Sequence, residues 1–132
     1  MTSAVPRVSV ILPVRDAEKT LAMAVESILG QTERNLELLV VNDGSRDSSH
    51  RILAEFAHFD RRIRVLSTVN HGIVEALNLG WSEARAPYLA RMDADDVSLP
   101  ERLSLQCDFL DSHPTVGLVS CRVEYWSGDE ER

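Results

Sequence analysis

Three carboxylates lie within four residues at positions 93–96, directly after the apolar segment 88–92. In an extended chain Asp93 and Asp95 point to the same side, whereas Ala94 points to the other. Their mutual repulsion favours a divalent cation beside them, because carboxylate oxygens are ligands that Mg²⁺ and Mn²⁺ prefer. A solvated acidic turn before a helix is the alternative, since helix N-termini also favour negative charge. The pattern indicates a metal site if other polar loops meet this one.

The residues after this cluster predict a helix that begins at Ser98. Ser98 and Glu101 have the spacing of a capping box, and Pro100 suits a first helical turn. Leu103 and Cys107 lie at helical spacing, and we expect the helix to end before Pro114. The acidic cluster would thus stand between the end of a strand and the start of a helix.

Apolar patterning predicts alternating strands and helices along the rest of the chain. Continuous apolar runs are typical of strands in a buried parallel sheet, and a 3.6-residue period is typical of amphipathic helices. The predicted strands are 8–12, 36–41, 63–67 and 88–92, with one last strand or two short ones over 116–123. The other predicted helices begin near residues 17, 47 and 72. This alternation predicts an α/β fold, a mostly parallel sheet with helices on both faces.

Composition limits the class of protein. The 132 residues suffice for a single domain over 1–132, and 44% hydrophobic with 27% charged residues is typical of a soluble protein. The net charge of −7 argues against nucleic acid or an anionic membrane surface as the main partner. We find no signal peptide or transmembrane segment in this sequence and expect a cytoplasmic protein, peripheral to the membrane at most.

Two further expectations concern single residues and the tail. Cys107 and Cys121 each lie in an apolar pattern, too far apart for a metal-binding pair, and are predicted to be buried thiols. Residues 127–132 are predicted to form a disordered tail, because they are polar and carry no periodic apolar positions.

Polar residues follow each of the first four predicted strands. Parallel strands present their carboxyl ends at one edge, where ligands of open α/β sheets bind, so these residues should converge. They are Arg15, Asp16 and Glu18 with Pro13 after the first strand, Asp43 after the second, Asn70 and His71 after the third, and Asp93, Asp95 and Asp96 after the fourth. This convergence makes the acidic cluster a candidate site.

Missing motifs narrow the chemistry of that site. The chain has neither G-x-G-x-x-G nor G-x-x-x-x-G-K-[ST], which weakens a dinucleotide site and excludes a P-loop. A site for a nucleotide diphosphate remains, with a metal held by Asp95 and the base recognised by Asp43. An ionised carboxylate only accepts hydrogen bonds, so Asp43 would favour the ring N–H of uracil, thymine or guanine. Alternatively, Asp43 caps the backbone of its own turn.

Several motifs, in this order along the chain, together resemble one known family. They are VSVILPV at 8–14, Glu18, QT at 31–32, VNDGS at 41–45 with Asp47, NHG at 70–72, ALNLG at 76–80 and ARMDADD at 90–96. The set is similar to family 2 glycosyltransferases, which have a GT-A (Rossmann-like) fold, and it covers residues 7 to about 120. Family members often have Tyr-Asn where this chain has Arg15-Asp16, and an arginine could stack on a base in place of the aromatic ring.

The resemblance implies roles for single residues. Pro13, Val14, Arg15 and Glu18 would line the nucleobase pocket, in which Asp43 contacts the base. Asp93 would contact the ribose, and Asp95 would bind the divalent metal, Mn²⁺ or Mg²⁺, that holds the diphosphate. With the preference expected of Asp43, the donor would be a UDP-sugar.

The resemblance also implies an inverting sugar transfer in polysaccharide biosynthesis. The acceptor, a glycan, a lipid-linked sugar or a protein, stays open. Similar catalytic domains are roughly twice as long, so we expect this chain to be a truncated, donor-binding half that is inactive alone, with the general base beyond Arg132. The alternatives are a non-catalytic module that binds nucleotide sugars, and an α/β domain whose acidic edge binds nothing.

Overall fold

The computed structural model describes residues 4–127, in which four strands alternate with four helices. The strands are β1 (Val8–Val14), β2 (Leu36–Asp43), β3 (Ile63–Thr68) and β4 (Tyr88–Arg91), and the helices are α1 (Leu21–Leu29), α2 (Ser49–Phe59), α3 (Ile73–Glu83) and α4 (Arg102–Ser112). The predicted order of elements is confirmed through α4. Most boundaries differ from the predicted ones by a few residues at the ends, where apolar periodicity carries little information.

The four strands form one parallel sheet in the order β3-β2-β1-β4. The two central strands are buried almost throughout, which explains their continuous apolar runs. Along the edge strands β3 and β4, more exposed and less exposed residues alternate. The predicted α/β class and the parallel sheet are therefore confirmed.

Helices cover both faces of the sheet. Val10 and Leu12 of β1 pack on one side into a core with residues of α1, α2 and α4. Ile11 of β1 faces the other side, where α3 packs at Gly80. A Cβ atom at position 80 would lie 2.5 Å from Ile11 Cγ2, so the close approach of α3 requires glycine there. The first turn of α3 stands at the carboxyl ends of β1 and β2, beside Val14 and Asp43.

The helix predicted to begin at Ser98 begins instead at Arg102, after the cap residue Glu101. Contacts with the end of α1 explain the difference. Gln31 Nε2 donates to the Leu99 carbonyl at 2.7 Å, and the Thr32 amide donates to the Pro100 carbonyl at 2.8 Å. These contacts engage two carbonyls of the predicted first turn and hold the segment as a loop.

The predicted strand or strands over 116–123 are wrong, because residues 113–127 contain no strand. A strand is stable only beside a partner, and this segment pairs with none of the strands between residues 4 and 127. Leu118 and Val123 are exposed. Cys121 is also exposed, against the prediction, whereas Cys107 is buried as expected.

Two other expectations concern the tail and the membrane. The predicted disordered tail lies, from residue 128 onward, outside the described residues. Between residues 4 and 127, no helix combines the length and the apolar character needed to cross a membrane.

Candidate functional site

A cavity of about 310 Å³ lies at the carboxyl ends of the strands, against the first turns of α3. Its size falls in the range of small-molecule sites. It is lined by Pro13, Val14, Arg15, Asp43, Gly72, Ile73, Ala76, Asp93 and Asp95. The structure thus brings six of the seven predicted site residues together, and Glu18 is the one that does not line the cavity.

The Asp43 carboxylate is fixed by the loop between β3 and α3. It accepts hydrogen bonds from the backbone amides of His71 and Gly72, both at 2.9 Å. The bond from the His71 amide, aided by that from Gly72, holds the pKa of Asp43 below its ordinary value although burial opposes this. Asp43 therefore caps a backbone segment, as the alternative proposed, but that segment belongs to a different loop. Its carboxylate is ionised and still lines the cavity.

The acidic cluster stands at another wall of the cavity. Asp93, Asp95 and Asp96 each offer a carboxylate oxygen, and these three oxygens lie within 4.8 Å of one another. Arg91 Nη2 lies 3.3 Å from Asp93 Oδ1, and Asp95 and Asp96 are exposed. Three close hard oxygen ligands fit Mg²⁺ or Mn²⁺ in donor type and charge. Asp96, which the sequence did not single out as a ligand, belongs to this cluster.

Glu18 belongs to a contact between two loops. Its carboxylate Oε2 accepts from the Ser48 amide at 3.0 Å, and its own amide donates to Asp47 Oδ2 at 3.0 Å. Asp16, at a positive φ of 50°, accepts from the Arg46 amide at 2.7 Å. The loop after β1 and the loop after β2 therefore hold each other through carboxylates and amides. Contact of Glu18 with a nucleobase stays a prediction.

A second cavity, of about 290 Å³, adjoins the first. It lies between the loop after β1 and the acidic cluster, and its lining includes Thr20 and Ala94. Pro13, Arg15 and Asp95 line both cavities. A ligand that extends from Asp43 past Asp95 would therefore pass the Arg15 guanidinium and the carboxylate cluster in turn.

Polar residues in α1 and at its two ends also support the site, and motif spacing alone assigns no role to most of them. Thr20, Ser27 and Gln31 contact the backbone of the segment that carries the aspartates. Gln31 belongs to the QT motif at 31–32, and the structure adds that it is completely buried, where its amide group must find partners.

Comparisons with known proteins agree on one family. The family model described as Glycosyl transferase family 2 matches residues 9–132. The chain is 41% identical over 110 residues to EpsE of Bacillus subtilis (strain 168), named there as a glycosyltransferase, and the match covers 82% of this chain and 40% of EpsE.

Solved structures show the same likeness. The mannosyltransferase PcManGT from Pyrobaculum calidifontis, in complex with GDP-Man and Mn²⁺, is similar with a TM-score of 0.80 and 26% identity, over 92% of this chain and 37% of that chain. S. aureus TarS 1-349 in complex with UDP-GlcNAc is similar with a TM-score of 0.75 and 25% identity, over 82% of this chain and 32% of that chain. The chain thus spans two fifths or less of each of these proteins.

Proposed function

The chain belongs to glycosyl transferase family 2, and on this premise we propose that it binds a nucleotide diphosphate sugar as the donor of a sugar transfer. One observation carries the proposal: a single cavity extends from a carboxylate suited to a base edge, Asp43, to a carboxylate suited to a metal, Asp95. A nucleotide diphosphate has these two recognition features, a base at one end and an anionic diphosphate at the other.

The acidic cluster would hold the divalent metal, with Asp95 as the main ligand and Asp93 and Asp96 beside it. When bound, Mn²⁺ or Mg²⁺ would neutralise the charge of the diphosphate leaving group. Arg15, which lines both cavities, would add positive charge on the same path. The Mn²⁺ in the similar mannosyltransferase complex supports this assignment.

The nucleobase would be uracil. Asp43 is ionised and accepts hydrogen bonds, so it favours a base edge that carries a ring N–H. Uracil and guanine carry one, whereas neutral cytosine and adenine do not. The nucleotides in the two similar complexes, UDP-GlcNAc and GDP-Man, have bases that meet this requirement. We expect UDP to bind best, with GDP or dTDP as weaker ligands.

The transfer would invert the sugar C1. The acceptor oxygen forms a bond to C1 from one face while the bond from C1 to the diphosphate breaks on the other, and a general base takes the hydroxyl proton. Asp108 and Asp111 are poor candidates for this base, because both bind Arg7 at the opposite end of the sheet. This observation favours the second candidate function for the chain alone: a module that binds the donor without transferring the sugar.

A thermal-stability screen tests the donor site. The 132-residue chain is heated with UDP-, GDP-, CDP- and ADP-sugars, each with and without Mn²⁺. We expect the largest rise in melting temperature with a UDP-sugar and Mn²⁺ together. No rise with any of these ligands would contradict the proposal. Release of UDP that depends on an acceptor would then separate the two candidates, since only a transferase produces it.

A further inference from the structure

The segment that carries the aspartates lies along α1 and is bound to it by side chains. We define the aspartate loop as residues 92–101, between β4 and α4. Thr20 Oγ1 donates to the Ala94 carbonyl at 2.9 Å, between Asp93 and Asp95. Further along the loop, the Ser98 amide donates to Ser27 Oγ at 3.1 Å. These contacts join the loop backbone to one helix at two separate places.

Gln31, which has no exposed surface, makes the largest set of these contacts. Its Nε2 donates to the Leu99 carbonyl at 2.7 Å and to the Ser27 carbonyl at 3.0 Å, with the Ser98 carbonyl at 3.5 Å. Its Oε1 accepts from the Leu103 amide at 3.0 Å. Leu103 is the second residue of α4, whose own cap residue, Glu101, makes no side-chain cap hydrogen bond. Gln31 therefore satisfies an amide that α4 leaves free at its start.

Thr20, Ser27 and Gln31 are seven and four residues apart. Thr20 is the cap residue before α1, Ser27 lies in the helix, and Gln31 follows the cap residue Gly30 at its end. Together these three side chains contact the aspartate loop at positions 94, 98 and 99 and contact α4 at 103. The contacts therefore extend from the acidic cluster to the helix that follows it.

These contacts also decide between two conformations of the segment. The sequence from Ser98 to Glu101 carries the signals of a helix start, yet α4 begins only at Arg102. The Leu99 and Pro100 carbonyls accept from Gln31 Nε2 and from the Thr32 amide, and an earlier helix start would turn them along the helix axis and weaken both contacts. The Leu99 carbonyl also accepts from the Arg102 amide at 3.1 Å, in the turn that leads into α4. A shift of the start would shorten the aspartate loop and move Asp95 and Asp96.

We propose that these three side chains, in α1 and at its two ends, position the metal-binding aspartates, and that Gln31 is the principal positioning residue. The part that concerns the metal rests on the proposed function, whereas the part that concerns the loop does not. Gln31 touches neither the metal nor the donor in this scheme, and it acts through the backbone it holds. Removal of its two polar groups should free the loop and weaken metal binding while α1 and the sheet stay folded.

The test uses Gln31→Met, which keeps the volume of the side chain and removes both hydrogen-bonding groups. We expect faster amide hydrogen exchange across residues 94–103 and a loss of Mn²⁺ affinity of roughly tenfold, the low end for groups that support metal ligands. The matched control is Ser9→Ala, which removes a buried hydroxyl that contacts Glu37 and the Ala86 amide far from the loop. It should lower stability without changing exchange in the loop or Mn²⁺ affinity.

A second variant tests the mechanism further. Gln31→Glu keeps an acceptor for the Leu103 amide, but its carboxylate would face the Leu99 and Ser27 carbonyls without a donor in a fully buried position. Its loop exchange should therefore be at least as fast, and its Mn²⁺ binding at least as weak, as in Gln31→Met. Unchanged loop exchange in Gln31→Met would overturn the proposal, and so would an equal loss of Mn²⁺ affinity in Ser9→Ala. If the wild-type chain bound no Mn²⁺, the proposed metal site would fail, and hydrogen exchange would still decide whether Gln31 positions the loop.

Discussion

Acidic side chains lie at both ends of the sheet, but in two different settings. At the amino ends of the strands they face arginines. Glu37, only 2% exposed, accepts from Arg85 Nε at 2.9 Å, and Arg64 Nη1 lies 3.4 Å from it. Arg7 likewise contacts Glu33, Asp108 and Asp111. Each of these carboxylates has an arginine partner inside the chain, and each contact joins elements that are distant in sequence.

At the carboxyl ends most carboxylates accept from backbone amides or have no ion-pair partner in the described part of the chain, and Asp93 is the exception. Asp43 and Asp47 accept from amides of other loops. Within residues 4–127, Asp93 has an arginine partner, Arg91, whereas Asp95 and Asp96 have none. A carboxylate that is paired with an arginine belongs to the fold, because removing either partner leaves the other charge uncompensated, whereas a cluster of unpaired carboxylates is suited to an external cation.

The largest expected effect comes from Asp95→Ala, which removes an exposed carboxylate from the acidic cluster. Nucleotide binding that depends on Mn²⁺ should fall by more than about a hundredfold, because a direct ligand is lost. Stability without metal should stay the same or rise slightly, since like-charge repulsion is relieved. Calorimetric titration with UDP in the presence of Mn²⁺ measures the affinity of Asp95→Ala and of the wild type. Asp108→Ala, at the opposite end of the sheet, is the control and should bind UDP as the wild type does. Equal binding by Asp95→Ala and the wild type would remove the metal assignment.

Glu37→Gln tests the end where carboxylates pair with arginines. The change keeps the shape and removes the charge that faces Arg85 and Arg64 in a buried position. The free energy of unfolding should fall by about 2 kcal/mol, the scale of hydrogen bonds to a charged group. Urea unfolding measures this loss, and UDP affinity should not change. A change in UDP affinity as large as the change in stability would contradict the separation of the two ends.

Asp43→Asn tests whether Asp43 recognises the base, by comparison with Asp47, which also accepts from backbone amides. The amide side chain presents a donor as well as an acceptor, so UDP affinity should fall about tenfold relative to CDP. Asp47→Asn is the matched control: Asp47 also accepts from backbone amides, but it does not line the cavity. The ratio of UDP to CDP affinity, from competition binding, should change only in Asp43→Asn. The same ratio in both variants would place the base elsewhere.

The smallest expected effect is a pH dependence at the amino ends. Burial alone would raise the pKa of Glu37, but hydrogen bonds from Ser9 and Arg85 outweigh it and lower the pKa below the ordinary 4.5. A lowered pKa in the folded state contributes stability that is fully present above pH 4.5 and is lost as the pH falls through the folded pKa. Protonated Glu37 resembles glutamine, so the stability gap between the wild type and Glu37→Gln should narrow below pH 4.5 in urea unfolding. A gap that widens there would reverse the assigned sign.

Sequence patterns predicted the order of the elements and the edge of the sheet where the site lies, because both depend on short stretches of the chain. The apolar runs of β1 and β2 and the periodicity of the helices were sufficient for the order of the elements, and parallel alternation brought Arg15, Asp43 and Asp95 to one edge. The edge was predictable because strand direction fixes where every carboxyl end lies.

The failures share one cause, contacts between residues far apart in sequence. The residues from Ser98 to Glu101 have the local signals of a helix start. The helix nevertheless begins later, and the Ser98 and Leu99 carbonyls contact Gln31, which lies 67 and 68 residues earlier in the chain. The segment 116–123 had the composition of a strand, but composition does not supply a partner. Glu18 followed the right strand, and only the structure showed the Ser48 amide as its partner.

Gly80 does not line the cavity, but it affects the position of residues that do. Any side chain there would meet Ile11, a stiff residue that is only 5% exposed, so α3 would have to move away from the sheet. Ala76, one turn earlier, and Ile73, two turns earlier, line the cavity and would move with the helix. The residue at position 80 therefore sets the distance between α3 and the sheet, and with it the width of the cavity. An engineer could widen the cavity there without altering a single residue that lines it.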